Sequence, residues 1–345
     1  MKNTMLLLAT AFLCACSPKH DSSSKITTLS IDAASDKATS LNGLLSSQTA
    51  ISLDTTVLVA GVGDLCLIDS NLYLLDDQQM SVSRFAYPGG ELINTMKAFG
   101  GGPEEYIQPT MLSTDGASLF LLDFAGSAIL EYDKGLRFVR KIKLESPVND
   151  FVCVPEGFLC FNSWMGGEVC PVVVYNKEGE VQQRINFKRP VAAYGAKGKV
   201  FFEDREHVYF RPFFCDTIYQ YKSEALELAP VAHLDFQDKA IPSDFDFQND
   251  VFASPYAFAT HVFEAEGCWV ISYVSGGSRY YALGNAAGGK SDSYRFDGKS
   301  GEVFFPQWRI GDKLVTVVVG AFATDGETAQ DDGCRLLLHS LNTQR

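Results

Sequence analysis

Several stretches of the chain carry residue types that could do chemistry. Gly284-Asn285-Ala286-Ala287-Gly288-Gly289-Lys290-Ser291 spells G-x-x-x-x-G-K-S, the letters of a phosphate-cradling loop. That loop works when a helix follows, because the helix N-terminus and its free N–H groups hold the phosphates. Here Asp292-Ser293-Tyr294-Arg295-Phe296 follows, which alternates like a strand, so no nucleotide is expected. Asp244-Phe245-Asp246-Phe247-Gln248-Asn249-Asp250 spaces its acids like a calcium loop. It lacks the glycine at the sixth position and the bidentate glutamate at the twelfth, where Pro255 stands, and reads better as a solvated connection. No G-x-S-x-G elbow occurs. The histidines His20, His207, His233, His261 and His339 are scattered singly, which suits packed or surface residues better than general bases. The last candidate is Phe99-Gly100-Gly101-Gly102-Pro103-Glu104-Glu105-Tyr106, a forced turn that delivers two acids and a tyrosine at its exit.

The N-terminus carries an address. Lys2 precedes an apolar run over residues 5–13 that is too short to span a bilayer, and the run ends in Leu13-Cys14-Ala15-Cys16. This resembles a bacterial lipobox, with Cys16 as the lipidated first residue of the mature chain. Residues 1–16 are therefore read as a signal peptide and residues 17–30 as a flexible tether, since Ser17-Pro18-Lys19-His20-Asp21-Ser22-Ser23-Ser24-Lys25 is polar throughout. Ser17, rather than an aspartate after the cysteine, points to the outer membrane. A net charge of -13 leaves no basic stripe for phosphates, so nucleic acid is excluded as a partner. Nine cysteines less Cys14 and Cys16 leave seven, none in C-x-x-C spacing, so no zinc site is indicated. A two-residue turn at Glu156-Gly157 would set Cys153 opposite Cys160, although two buried thiols suit these apolar strands better than a disulfide.

The elements that must position all this are strands. Leu72-Tyr73-Leu74-Leu75-Asp76 is echoed by Leu119-Phe120-Leu121-Leu122-Asp123 and by Phe158-Leu159-Cys160-Phe161-Asn162. Weaker copies follow at Val208-Tyr209-Phe210, Cys268-Trp269-Val270-Ile271 and Leu314-Val315-Thr316-Val317. An aromatic strand and a polar turn trail the copies, and the repeat of about 40–60 residues suits a four-stranded propeller blade. Residues 31–345 are thus expected to form an all-β, six-bladed β-propeller with four-stranded antiparallel blades. The last copy runs out of chain after its third strand, so the strand around Ala50-Ile51-Ser52-Leu53-Asp54-Thr55 is expected to close the ring from the N-terminal side. A pair of β-sandwiches is the weaker alternative, because the repeats run evenly through any boundary.

Ser52-Leu53-Asp54-Thr55-Thr56, Gly101-Gly102-Pro103-Glu104-Glu105-Tyr106, Asp216-Thr217-Ile218-Tyr219 and Asp331-Asp332-Gly333-Cys334-Arg335-Leu336 together resemble the six-bladed β-propeller lipoproteins of Bacteroides-type bacteria, themselves similar to NHL-type propellers. Glu104 stands where that family has glycine, and Gly333-Cys334 where it has Asn-Pro. The resemblance implies an exported propeller without an assigned reaction.

Blade topology selects the surface for binding. Loops between second and third strands share a face with the blade-to-blade crossovers, and loops on rigid scaffolds carry function. Glu105, Tyr106, Asp123, Trp164, Arg211, Asp216 and Arg279 are the candidate ligand face. Asp76 and Asp123 could equally hold backbone N–H groups at strand ends. Glu105 and Tyr106, at a blade crossover, read better as a latch between blades than as ligand contacts. The reading preferred is a binding module rather than an enzyme, anchored to a membrane by its lipid and meeting a glycan, a peptide or an envelope protein. The alternative is a calcium-dependent, lactonase-like hydrolase or lyase with its site in the central channel. No cofactor is required, with calcium the one candidate.

Overall fold

Alternate residues of Leu72-Tyr73-Leu74-Leu75 go to opposite faces of their strand, and each face meets a different neighbour. Leu72 and Leu74 pack with Val315, Leu336 and Trp308, whereas Tyr73 and Leu75 pack with Leu112, Leu121 and Leu130. A strand sandwiched in this way is apolar on both faces, and Leu72 to Leu75 are all buried. Outer strands alternate instead: along Phe138–Lys143 only Ile142 is buried. Each buried leucine of the middle strands contributes about 1.5–3 kcal/mol relative to exposure.

The structure, a computed structural model, describes residues 26–33, 45–162, 169–188, 199–204, 206–242, 244–245, 251–265, 267–295, 304–320 and 333–342. The chain is an all-β propeller with four-stranded antiparallel blades. Sheet 1 comprises Asp64–Ile68, Asn71–Asp76, Ser81–Ala86 and Leu92–Met96; sheet 2 comprises Pro109–Thr114, Leu119–Asp123, Ala128–Tyr132 and Phe138–Lys143. Sheet 3 comprises Asp150–Val154, Gly157–Phe161, Val169–Asn176 and Val181–Lys188. Sheet 4 begins with Phe201–Glu203, Val208–Phe210, Thr217–Lys222 and Glu227–Asp235. Sheet 5 comprises Ala257–Ala265, Cys268–Ser275, Ser278–Asn285 and Asp292–Arg295; sheet 6 comprises Trp308–Ile310, Lys313–Val319, Cys334–Leu341 and Leu45–Ser52. The last of these strands comes from the N-terminal side and pairs antiparallel with Cys334–Leu341, Ile51 opposite Leu336.

Three expectations are corrected. Six four-stranded blades were expected and five are found, because sheet 4 has six strands. Thr27–Ser30 adds in parallel to the outer strand of sheet 4, Leu29 opposite Leu234, and Gly289–Lys290 adds beyond it. The open edge of Glu227–Asp235 is thereby covered. Second, the stretch expected as tether becomes a strand from Thr27 onward. The phosphate-loop letters lie, as expected, between the third and fourth strands of sheet 5, and join that pairing: Ser291 donates both its backbone N–H and its hydroxyl to the carbonyl of Ser30, each at 2.9 Å. Third, the turn of sheet 3 is Pro155-Glu156, so Cys153 faces Phe158 and Cys160 faces Phe151, and both thiols are free. Cys16, Trp164, most of the calcium-like loop and Asp331-Asp332 lie outside the described residues.

Candidate functional site

The glycine-rich turn is a fastener. Tyr106, fully buried, donates its hydroxyl to the Met80 carbonyl at 2.8 Å and accepts from the Ala98 N–H at 3.0 Å. Its ring packs with Leu75, Leu112 and Leu121, between sheets 1 and 2. Glu105 turns inward on its own loop, accepting from the Gly102 N–H at 2.7 Å. Lys141 donates to the Glu105 carbonyl at 2.6 Å and stands 3.8 Å from Asp123, so these predicted residues form one group. Asp123 is also fully buried, and one of its oxygens accepts from the N–H groups of Ile107, Gln108 and Gly126. Asp76 does the same in sheet 1, taking Ala60, Gln78 and Gln79. The other oxygen of Asp123 has no hydrogen bond and faces Lys141; carboxylates claimed in this way by backbone donors are structural.

Sheet 4 breaks this pattern. After its second strand, where the preceding sheets have Asp76, Asp123 and Asn162, stands Arg211. A guanidinium cannot accept the loop's N–H groups. Arg211 is 3% exposed, and among the described residues its side chain donates to the carbonyls of Pro212 at 3.4 Å and Thr260 at 3.2 Å alone. Among the described residues no carboxylate comes within ion-pair distance of it. Burial presses its pKa down, and the nearby Cys215 and Asp216 pull the other way. Asp216 is pushed up to about 6 by burial, opposed by Arg211 and His233.

Arg279 of sheet 5 is exposed and lays its guanidinium over the Phe305 ring at 3.8 Å. His261 meets the same ring edge-on at 5.6 Å. Burial, then the charges of Arg211 and Arg279, drive the His261 imidazole down to about 4, so it is neutral at pH 7. Its Nδ1 is buried without a hydrogen-bond partner. Arg211, Arg279 and Asp216 thus gather at the junction of sheets 4 and 5, far in sequence from the Glu105 group, with His261 added to them.

A second cluster was not foreseen. Asp64 and Asp150 begin the inner strands of sheets 1 and 3, and both are buried. Asp64 accepts from the N–H groups of Leu65 and Leu112, from Trp308 Nε1 at 3.0 Å and from Lys199 Nζ at 2.9 Å, tying sheets 6, 1 and 2 to the residue that leads into sheet 4. Asp150 accepts from Phe151, Val200 and Phe201. Its pKa is pushed up to about 7 by burial, against the pull of Lys199 and of the Phe201 and Val200 N–H groups. Lys199 is raised by the two aspartates and stays protonated. The signal was spacing: Asp64, Asp150 and Lys199 each stand twelve residues before Asp76, Asn162 and Arg211 respectively. Sheet 4 therefore reverses charge at both positions.

Between these clusters lies a cavity of about 370 Å³, lined from the inner strands of all six sheets, within the size range of small-molecule sites. Phe151, Phe263 and Trp308 give it apolar walls, while Lys199, Arg211, His261, Glu203 and Arg309 supply polar groups. The enclosing protein raises the Glu203 carboxyl, and Cys66 in the wall is pushed up to about 12 by burial, an unreactive thiol. Among the described residues, no three His, Cys, Asp or Glu side chains converge as metal ligands do.

The fold is shared with solved structures. A Bacteroides fragilis protein described as exported superposes with a TM-score of 0.74 at 18% identity, over 92% of this chain and 100% of that one. A Bacteroides vulgatus member of the DUF4221 family aligns with a TM-score of 0.52 at 9% identity, over 87% of this chain and 97% of that one. At such identities the likeness is one of fold. No curated protein sequence matches the chain. Residues 26–324 match the family described as "Domain of unknown function (DUF4934)", and the chain belongs to that family.

Proposed function

We propose that the chain is an exported, lipid-anchored propeller that binds a small ligand, or the end of a longer one, in its axial cavity. The observation that carries the reading is the cavity itself: apolar walls with a few converging polar groups, on a rigid scaffold of sheets. A space of about 370 Å³ suits a compact organic molecule or a terminal sugar or residue rather than a protein face. The pairing of Leu45–Ser52 with Cys334–Leu341 supports a closed ring, which would fix the cavity walls. Between the two buried acids the positive charge is supplied by Lys199, which weighs against the calcium-dependent hydrolase.

Leu67 lines the cavity and can be enlarged without removing a hydrogen bond. Leu67→Trp should keep the fold and abolish stabilisation by ligands found in a thermal-shift screen of small organic molecules. If hits stabilise this variant as they do the parent chain, they bind elsewhere and the cavity reading fails. Export and anchoring rest on the lipobox letters and on the exported Bacteroides fragilis protein of like fold. Cys16→Ala should abolish incorporation of labelled palmitate in a bacterial host; persistent labelling would refute the anchor.

A further inference from the structure

The two cations that sheet 4 sends to the cavity have different fates. Lys199 is matched by Asp64 at 2.9 Å and attracted by Asp150, so its charge is spent inside the protein. Arg211 also lines the cavity and is almost wholly buried, yet among the described residues it holds only two long contacts to carbonyls. A guanidinium has five donors in a fixed fork suited to planar or tetrahedral oxyanions. Burying one without an anionic partner is costly unless something completes its bonding. The Cys215 thiol and the Asp216 carboxylate act on Arg211 electrostatically, and among the described residues neither Asp216 nor another carboxylate forms an ion pair with it. Of the two acids that sheet 4 gives the cavity wall, Asp204 is occupied by Tyr209, His207 and Glu206 donors, and Glu203 feels Lys199 and Arg309 rather than Arg211.

The neighbours of Arg211 add to the same polarity. Arg279 brings a second guanidinium, held on the Phe305 face, and both arginines act on His261. The imidazole is neutral there and keeps an unused buried Nδ1. We infer that the cavity takes an organic anion, with a carboxylate or sulfate seated on Arg211 beside His261 and Arg279, and its apolar body against Phe263 and Trp308. The inference rests on the cavity being the binding site and names the chemistry of what binds. The geometry also sets an orientation. Arg211 sits beside Val200, just before the inner strand Phe201–Glu203 of sheet 4, and the Glu203 carboxylate at the other end of that strand would repel a second anionic group. A monoanion is therefore favoured over a molecule charged at both ends.

The test uses four probes of similar size: benzoate, phenyl sulfate, benzamide and benzylamine, titrated calorimetrically into the folded chain at pH 7.5 and low salt. Benzoate or phenyl sulfate should bind at least tenfold more tightly than benzamide, benzylamine should be weakest, and raising the salt should narrow the gap. Which of the two anions binds better separates carboxylate from sulfate recognition. Arg211→Met should remove the preference for anion over benzamide, and Arg211→Lys should keep part of it. Because a buried arginine can matter for folding, Arg279→Gln, at an exposed position, gives a second reading: a loss of about threefold for the anions alone. Equal binding of benzoate, phenyl sulfate and benzamide would overturn the anion assignment while leaving the cavity as a site. So would unchanged anion affinity in Arg279→Gln together with Arg211→Met, or in Arg279→Gln alone if the latter does not fold. Absence of binding by all four probes would overturn the cavity reading and the assignment together.

Discussion

Asp64→Ala should lower the unfolding midpoint by roughly 6 °C, since removing one partner of a buried ion pair costs about 3–5 kcal/mol and a chain of this length shifts by about 1.5 °C per kcal/mol. The size follows from what the carboxylate holds. Asp64 is 0% exposed and accepts from two backbone N–H groups, the Trp308 indole and the Lys199 ammonium. Its removal leaves four donors short of a partner, and one of them carries a full charge beside apolar walls. Transfer free energy acts the other way, because alanine is easier to bury than a carboxylate, but the orphaned ammonium outweighs it. Asp64→Asn should recover part of the loss by keeping one acceptor oxygen. Asp77→Ala, at an exposed neighbour, should stay within about 0.5 kcal/mol of the parent. A midpoint for Asp64→Ala within about 1.5 °C of the parent, about 1 kcal/mol or less, would mean that water or Lys199 itself re-solvates the gap.

The second large effect is a titration. Asp150 should protonate with a midpoint near 7 in carboxyl-carbon NMR, and the resonance should be absent from Asp150→Asn. Its pKa in the fold lies above the ordinary 3.8, so the folded chain binds the proton more tightly than the unfolded one. The stability from this group is therefore complete below about pH 4, declines as pH rises towards 7, and changes no further above it. The full span is about 4 kcal/mol, from roughly three pH units at 1.36 kcal/mol each. Carboxylates held low by backbone N–H groups, Asp115 and Asp204 among them, oppose this only when pH falls below their ordinary range. Asp216, His261 and His339 also exchange protons on unfolding in this range, so the difference in urea stability between the parent chain and Asp150→Asn from pH 5 to 8 isolates Asp150. Lys199→Met should move the midpoint higher still, because the ammonium is the largest influence holding it down. A midpoint below 5 in the parent chain would show that the three N–H donors, not burial, govern this carboxylate.

The repeat of Leu72-Tyr73-Leu74-Leu75-Asp76 made the sheets legible in the letters, because a strand buried on both faces must be apolar at every position. The extra strands of sheet 4 were not legible. Thr27-Thr28-Leu29-Ser30 is short and polar enough to pass for tether, and only its position against Leu234 makes it a strand. Of the expected ligand face, Arg211 and Arg279 come together, whereas Tyr106 and Asp123 turn out to be internal fasteners. Loop residues that face a ligand and loop residues that hold backbone N–H groups have the same types, so composition cannot part them. Asp64, Asp150 and Lys199 escaped notice for another reason. Each looked like a polar residue at a strand start, and their meeting depends on three inner strands converging on one axis. Cys153 and Cys160 show how a single residue of turn register redirects a side-chain pairing.

The parallel strand at Thr27–Ser30 has a mechanical consequence. It is clamped between Glu227–Asp235 on one side and Gly289–Lys290 on the other. A pull on the N-terminal segment along the strand loads these hydrogen bonds in shear, all at once, rather than peeling them one after another. Tension arriving from the N-terminus is therefore shared between sheets 4 and 5, the two sheets that carry Arg211 and Arg279, before it reaches the remaining blades.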